Sequence, residues 1–298
     1  MINKTALLVS HHGSEAKVRD DEGEEYRVQM RQSARDLVVG DRVFLQQNDG
    51  DQSWIIVARE ERKTEIFRTD QRGSKKLIAA NLDALLVVVA PQPEPHLNLV
   101  DRYLAAAEIF DISPAIVINK SDLVNASVLD EIQRIYPKLG YPVFRVSAFS
   151  KESLDVLNQW VQGKKLAFVG QSGVGKSSLI NSILEKFVAQ VGALSGKRPK
   201  GRHTTTASHT YPMPENGWIM DSPGIREFGN SVWTFYEIVR GFPEIQKFSE
   251  QCKFRNCVHG EDRGCAVRQA LTDGKIEASR FQTFISLVTD EAGQRKPK

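Results

Sequence analysis

The start of the chain, up to about residue 65, alternates apolar and polar positions in short runs. Examples are TALLVS, EAKVRD, RVFLQQ and SWIIVARE, and turn-forming stretches such as DEGE and NDGDQ separate them. A period of two residues is typical of strands with one buried face. The pattern predicts a small antiparallel barrel or meander over residues 1–65.

A different rhythm begins near residue 78 and continues to about residue 230. Apolar strand candidates such as LDALLVVVA, PAIVIN and KLAFVG alternate with helical stretches such as NLVDRYLAAAEIF. This alternation is typical of a parallel sheet with crossover helices. The polar, basic stretch at 66–77 is predicted to be a linker, although an ordered crossing strand fits it equally well. Residues 231–298 are predicted to form a helical domain around a cysteine cluster.

Composition limits the classes of protein that fit. Of the 298 residues, 41% are hydrophobic and 26% are charged, so the chain can bury substantial cores. The longest apolar stretch, ALLVVVA, is far shorter than the roughly twenty residues needed to cross a bilayer. A cytoplasmic location without membrane contact is therefore expected. The net charge of +3 permits nucleic-acid binding without demanding it.

A phosphate-binding motif follows the strand candidate KLAFVG. The sequence GQSGVGKS matches G-x-x-x-x-G-K-[ST] and opens a helix, as the mechanism of this motif requires. Its backbone N–H groups can wrap phosphates, while Lys176 would reach the β and γ phosphates and Ser177 a magnesium ion. The predicted nucleotide-binding residues of this loop are Gly170, Gln171, Ser172, Gly173, Val174, Gly175, Lys176, Ser177 and Ser178.

Two other strand ends predict the choice of base. VINKSD places Asn119, Lys120 and Asp122 after a strand, and the Asp122 carboxylate can accept hydrogen bonds from the N1–H and 2-amino groups of guanine. Adenine offers no matching pair of donors, so the motif predicts guanine. VSAFS adds Ser147 and Ala148, whose backbone N–H groups would meet the guanine O6.

A short D-x-x-G motif in WIMDSPG supplies candidate phosphate-sensing residues. Such a pattern is common by chance, but here it ends a strand that follows a P-loop. Asp221 is predicted to hold magnesium through water, and the Gly224 N–H is predicted to sense the γ-phosphate.

The order of these motifs is unusual, because the base-selecting loops precede the phosphate loop. An ordinary P-loop GTPase has the phosphate loop first. If the first three strands of such a domain are placed after the last three in the sequence, each strand keeps its neighbours in the sheet. This requires that the original N and C termini lie close together. We therefore predict an α/β P-loop GTPase with a circularly permuted, parallel-rich sheet at 78–230, between the barrel and the C-terminal helical domain.

All three cysteines lie in one segment, CKFRNCVHGEDRGC. An odd number in so short a stretch does not fit a secreted disulfide framework. Three thiolates and one imidazole, from Cys252, Cys257, His259 and Cys265, form a closed tetrahedral set that suits one structural zinc ion. The C-x4-C-x-H-x5-C spacing is unusual, and buried or redox-active cysteines are the alternative.

With NKSD before GQSGVGKSS, followed by GRHTTT, DSPG and the cysteine–histidine cluster, the chain resembles the circularly permuted, small-ribosomal-subunit-dependent GTPases of the RsgA family. The resemblance implies an OB-fold barrel that binds RNA, a permuted GTPase domain and a helical zinc domain. It also implies a role in late maturation of the small (30S) ribosomal subunit, where the subunit stimulates GTP hydrolysis and release follows. The implied partners are that subunit, its rRNA and GTP or GDP, and a monomer is expected.

The segment SGKRPKGRHTTT would form the first switch loop. By the resemblance, Thr205 binds magnesium when GTP is present, with Thr204 and Thr206 as alternatives. The position after D-x-x-G, where ordinary switch GTPases have a glutamine that orients the attacking water, is Ile225. We therefore expect slow intrinsic hydrolysis and assign the water-positioning role to His203, for which a plain surface histidine is the alternative.

Two other functions stay open on the sequence alone. A nucleotide-holding, RNA-binding adaptor with little hydrolysis is compatible with Ile225. An RNA-dependent ATPase is the weaker alternative, because Asp122 opposes adenine.

Overall fold

Five strands near the N terminus close into a barrel with the order β1-β2-β3-β5-β4. They are β1 (Lys4–His12), β2 (Glu15–Asp20), β3 (Glu25–Met30), β4 (Arg42–Gln47) and β5 (Trp54–Arg59). β3 and β5 run parallel, and the other neighbours are antiparallel. The computed structural model describes residues 4–12, 15–30, 36–48, 53–69, 74–123, 127–191, 209–221, 231–260 and 262–294. The barrel predicted from the alternating pattern is confirmed, with Leu8, Val18 and Ile56 in its core.

The segment between the barrel and the main sheet contains two strands, β6 (Glu65–Thr69) and β7 (Lys75–Ala80). They pair antiparallel as a sheet of their own. Ile66 and Ala79 are buried in the same core as the main sheet. The stretch predicted as a linker therefore contains two paired strands that pack on the core of the main sheet. The alternating residues of EIFRT allow this.

The central sheet has six strands in the order β10-β9-β8-β11-β13-β12. Their bounds are β8 (Ala84–Val89), β9 (Ser113–Ile118), β10 (Val143–Arg145), β11 (Lys165–Val169), β12 (His209–Pro212) and β13 (Trp218–Asp221). All neighbours are parallel except the edge strand β12, which is antiparallel to β13. Every residue of β8 is buried, because helices cover both faces of a parallel sheet.

Helices cover the two faces of this sheet. They are α1 (Leu97–Ile109), α2 (Ser127–Ile135), α3 (Lys151–Val161) and α4 (Lys176–Val191), with a 3₁₀ turn at Tyr136–Leu139. Buried residues of α1 and α2 share one hydrophobic core, and those of α3 and α4 share another. The layers are those of an α/β domain with a parallel sheet.

Four further helices follow the sheet, namely α5 (Phe235–Arg240), α6 (Pro243–Ser249), α7 (Ala266–Thr272) and α8 (Ala278–Gln294). A capping box starts α5, in which the Thr234 hydroxyl accepts from the Glu237 N–H and the Glu237 carboxylate accepts from the Thr234 N–H. Phe242 and Phe284 join these helices to the core that includes α1. Among the described residues, none of the helices has the length and apolar character that a membrane span requires.

Candidate functional site

The loop between β11 and α4 has a backbone that only glycine tolerates at three positions. Gly170, Gly173 and Gly175 have φ angles of 134°, 83° and 89°. A Cβ on Gly170 would lie 2.1 Å from the Val88 carbonyl oxygen, and one on Gly175 would lie 2.4 Å from the Asn119 amide nitrogen. The glycines of the motif thus let the loop turn sharply and approach its neighbours closely.

Lys176, the first residue of α4, folds back over this loop. Its ammonium donates to the carbonyl oxygens of Gly170 at 2.8 Å and Gln171 at 2.6 Å. The positive charge therefore lies beside the helix N terminus, where backbone N–H groups also favour an anion. This arrangement suits a phosphate chain.

The predicted base-selecting loop lies directly against the phosphate loop. Asn119 is buried, and its side-chain NH₂ donates to the Val174 carbonyl at 2.9 Å. The Lys120 ammonium donates to the Gly173 carbonyl at 2.7 Å and to the Gln92 carbonyl at 2.8 Å. The structure thus brings together two motifs that are distant in the sequence, because β9 and β11 end at the same edge of the sheet.

Asp122 and the Ser147–Ala148 turn face the same region. The Ser147 hydroxyl donates to the Asp122 carboxylate and lowers its pKa, which keeps the exposed carboxylate charged. The Ala148 N–H donates to the Asn119 side-chain oxygen at 3.2 Å, and the Ala148 carbonyl accepts from the Ser182 hydroxyl of α4 at 2.7 Å. A carboxylate held in this way can accept a pair of hydrogen bonds from one edge of a base.

Asp221 is the last residue of β13, which pairs in parallel with β11. Its position at the carboxyl end of that strand puts it on the same sheet edge as the phosphate loop. His203, Thr205, Gly224 and Ile225 lie outside the described residues.

The four predicted metal ligands converge in space. The His259 Nδ1 lies 3.6, 3.4 and 3.6 Å from the sulfur atoms of Cys252, Cys257 and Cys265, and the sulfurs of Cys252 and Cys265 are 4.0 Å apart. Zinc–sulfur and zinc–nitrogen bonds of about 2.3 and 2.0 Å in a tetrahedron place sulfur and nitrogen atoms about 3.5 Å apart and sulfur atoms about 3.8 Å apart. The observed spacing fits such a set.

The surroundings of the cluster also suit a closed metal site. His259 is buried, has a left-handed backbone (φ 62°), and its ring lies 5.8 Å from the ring of Phe235 and 5.9 Å from that of Phe284. Burial raises the pKa of the Cys257 thiol to about 12, so the neutral thiol is favoured unless a cation binds. A metal ion supplies that cation.

Three residues that contribute to these sites are not among those predicted from the sequence. Asp262 accepts a hydrogen bond from the Val258 N–H at 3.2 Å and lies 3.4 Å from the Cys257 sulfur. A carboxylate between two ligand positions is a usable signal for such a role. Ser182 contacts the Ala148 carbonyl, and Gln92 contacts Lys120, across the fold. The local sequence around Ser182 and Gln92 gives no sign of these contacts.

The fold and the site define a circularly permuted P-loop GTPase, in which the base-side strands β9 and β10 precede the phosphate-loop strand β11. A family model described as RsgA GTPase matches residues 59–231. The chain belongs to the RsgA GTPase family and is a GTP-hydrolysing enzyme.

Relatives and solved structures agree with this assignment. The Small ribosomal subunit biogenesis GTPase RsgA of Pseudomonas syringae pv. tomato is 41% identical over 293 residues, covering 96% of this chain and 85% of the relative. The protein of the same name from Pseudomonas aeruginosa is 42% identical over 285 residues, covering 94% and 84%.

Among solved structures, YjeQ from Thermotoga maritima superposes with a TM-score of 0.78 at 28% identity, covering 98% of this chain and 99% of that one. YloQ, described as a circularly permuted GTPase, gives 0.73 at 27% identity, covering 99% and 96%. The predicted fold class, with its permuted sheet, is confirmed.

Proposed function

We propose that the protein acts on the small (30S) ribosomal subunit late in its maturation, binding the subunit and its rRNA. The subunit stimulates GTP hydrolysis, and hydrolysis is coupled to release. The names of the relatives support this role, because the sequences of these relatives are similar to this one over nearly the whole chain. The observation that carries the nucleotide chemistry is the direct contact of Asn119 and Lys120 with the phosphate loop.

In this proposal the guanine base lies against Asp122, Ser147 and Ala148, and the phosphates lie in the loop from Gly170 to Ser178. Lys176 moves from the loop carbonyls to the β- and γ-phosphates. Ser177, Thr205 and, through water, Asp221 would hold a magnesium ion bound with GTP, and this ion would neutralise phosphate charge. The Gly224 N–H senses the γ-phosphate. Asn119 braces the phosphate loop, whose Val174 carbonyl it contacts, and Lys120, which contacts the Gly173 carbonyl, covers the plane of the base.

We infer that the cysteine–histidine cluster holds one structural zinc ion. Its support is the ligand spacing described above and the chemistry of three thiols and one imidazole. Four protein ligands complete a tetrahedron, which leaves no position for a reacting water.

We also propose the domain division 1–65, 66–77, 78–230 and 231–298 for a monomeric, cytoplasmic protein. The closed barrel supports the first boundary, and the run of four helices after the last strand of the sheet supports the last. The exposed cations of the barrel, such as Arg27, are candidate contacts to rRNA phosphates.

The test of the proposed function is GTP hydrolysis by the full chain with and without purified small ribosomal subunits, with ATP as competitor. We expect turnover to rise steeply with subunit concentration and to be insensitive to ATP. An adaptor that only holds nucleotide would show no stimulation, and an ATPase would be inhibited by the competitor. Either result contradicts the proposal.

Replacing Asp122 by Ala is expected to weaken GDP binding by about a hundredfold, because two charge-assisted hydrogen bonds to the guanine edge are lost. ADP binding should not change. Titration calorimetry with both nucleotides measures the effect, and Asp130→Ala, an exposed acid of α2, is the control. Equal losses for GDP and ADP would show that Asp122 does not select the base.

His203→Ala is expected to abolish the subunit-stimulated turnover while leaving the affinity for GTP intact, because the side chain would position water rather than bind nucleotide. Stimulated single-turnover rates and equilibrium GTP binding measure the two effects. Normal stimulation in this variant would remove His203 from the mechanism.

A further inference from the structure

The barrel makes a charged hydrogen bond to the edge of the central sheet. Arg19, a buried residue of β2, donates from Nη2 to the carbonyl oxygen of Thr210 in β12 at 3.2 Å. β12 is the last strand in the sheet order, so its outward carbonyls face away from β13. The barrel thus covers an edge that would otherwise expose its backbone.

Arg19 is itself held firmly within the barrel. Its Nε and Nη2 donate to the Glu25 carboxylate at 3.1 and 2.6 Å. Glu25 also forms an ion pair with Lys17 on the outer side of β2. One guanidinium therefore bridges a barrel carboxylate and a backbone carbonyl of the GTPase sheet, which its rigid fork of donors permits.

Arg19 contacts the carbonyl of Thr210, which is adjacent in β12 to His209, the residue that pairs with Asp221 of β13. In the β12–β13 pair, Thr210 is opposite Met220 and His209 is opposite Asp221. A shift of β12 relative to the barrel would therefore act on Asp221, a proposed magnesium contact, through the pairing of β12 with β13.

A second contact fixes the barrel beside the same strands. A Cβ on Gly40 would lie 2.1 Å from the Ala80 carbonyl and 3.2 Å from the ring of Trp218, the first residue of β13. The Asn81 side chain donates to the Gly40 carbonyl at 2.9 Å. The Gly40 turn of the barrel is therefore held at the end of β7, close to the ring of Trp218 in β13, while Arg19 reaches the neighbouring strand β12.

From this geometry we infer that Arg19 is a positioning residue for the stimulated reaction. It transmits the docking of the barrel on its partner to β12, and through the pairing of β12 with β13 to Asp221. The inference rests on the proposed function, since it requires a partner that stimulates hydrolysis. Arg19 acts through β12 and touches no nucleotide.

The experiment compares Arg19→Lys, Arg19→Ala and Arg42→Ala in the full chain, with GTP and purified small subunits. Lysine keeps the charge beside Glu25 but cannot bridge Glu25 and Thr210, and Lys17 still pairs with Glu25 in both variants. Arg42 donates hydrogen bonds to Asp21 and Thr5 on the surface of the same barrel and serves as the control. The readouts are hydrolysis without subunits, the turnover at saturating subunits, the half-saturating subunit concentration and the thermal midpoint.

We expect both Arg19 variants to lose about tenfold in turnover at saturating subunits, with unstimulated hydrolysis and half-saturation changed by less than about twofold. Arg42→Ala should keep the stimulated turnover. Full stimulation in Arg19→Lys, or a change in half-saturation alone, overturns the inference, and so does an equal loss of stimulated and unstimulated hydrolysis. Absence of stimulation in the unmodified chain would instead contradict the proposed function.

Discussion

Removal of the proposed zinc ion from the cysteine–histidine cluster is expected to unfold the helices around it. The cluster joins the end of α6 to the start of α7, since Cys252 follows α6 and Cys265 is the N-cap of α7. His259 also packs between Phe235 of α5 and Phe284 of α8. Structural zinc in small domains binds with an apparent free energy of about 10–16 kcal/mol near neutral pH, and most of that is folding free energy.

Far-ultraviolet circular dichroism of the full chain, before and after a strong chelator, measures the loss of helix. We expect a partial loss that zinc restores and magnesium does not, because thiolates prefer the softer ion. His259→Ala should reproduce the chelated state without any chelator. An unchanged spectrum in the metal-free chain would show that the cysteines are buried side chains without a structural ion.

The second large effect is expected at Arg280. This side chain is fully buried and donates to Asp101 at 3.0 Å and to Glu244 at 2.7 Å. Asp101 also accepts from Tyr136 at 2.8 Å and from Thr283 at 2.9 Å. The network joins α1, which packs on the central sheet, to the C-terminal helices α6 and α8.

Arg280→Ala is expected to cost about 3–5 kcal/mol of unfolding free energy, because it leaves the buried Asp101 and the partly buried Glu244 without their counter-charge. Urea unfolding followed by fluorescence measures the change. The matched control is Arg134→Ala, whose exposed pair with Glu277 contributes no more than about 1 kcal/mol. A similar midpoint for the two variants would mean that water or protonation compensates the buried acids.

The sequence predicted the parts of the fold that depend on local patterns. Alternating residues predicted the barrel, and the strand–helix rhythm predicted the parallel sheet. The three glycines of the phosphate loop have the positive φ angles that their motif requires. Local pattern does not distinguish a linker from a strand at β6 and β7, because the burial of these strands depends on distant residues such as Val39, between β3 and β4.

Contacts between distant residues were not predicted. Arg280 is separated from Asp101 by 179 positions, and in sequence it resembles an ordinary surface residue of an amphipathic helix. The contact of Arg19 with Thr210 spans 191 positions. Likewise, the Lys120–Gln92 contact depends on how two loops pack at one edge of the sheet. Such pairs follow from tertiary packing rather than from local spacing.

One guanine nucleotide is proposed to join the Asn119–Asp122 loop to the loop from Gly170 to Ser178. The most direct measurement is competition, in which unlabelled GDP, GTP, ADP or ATP displaces a fluorescent GDP bound to the full chain. We predict that guanine nucleotides displace it at least about a hundredfold better than adenine nucleotides. Equal displacement by the adenine nucleotides would contradict the account.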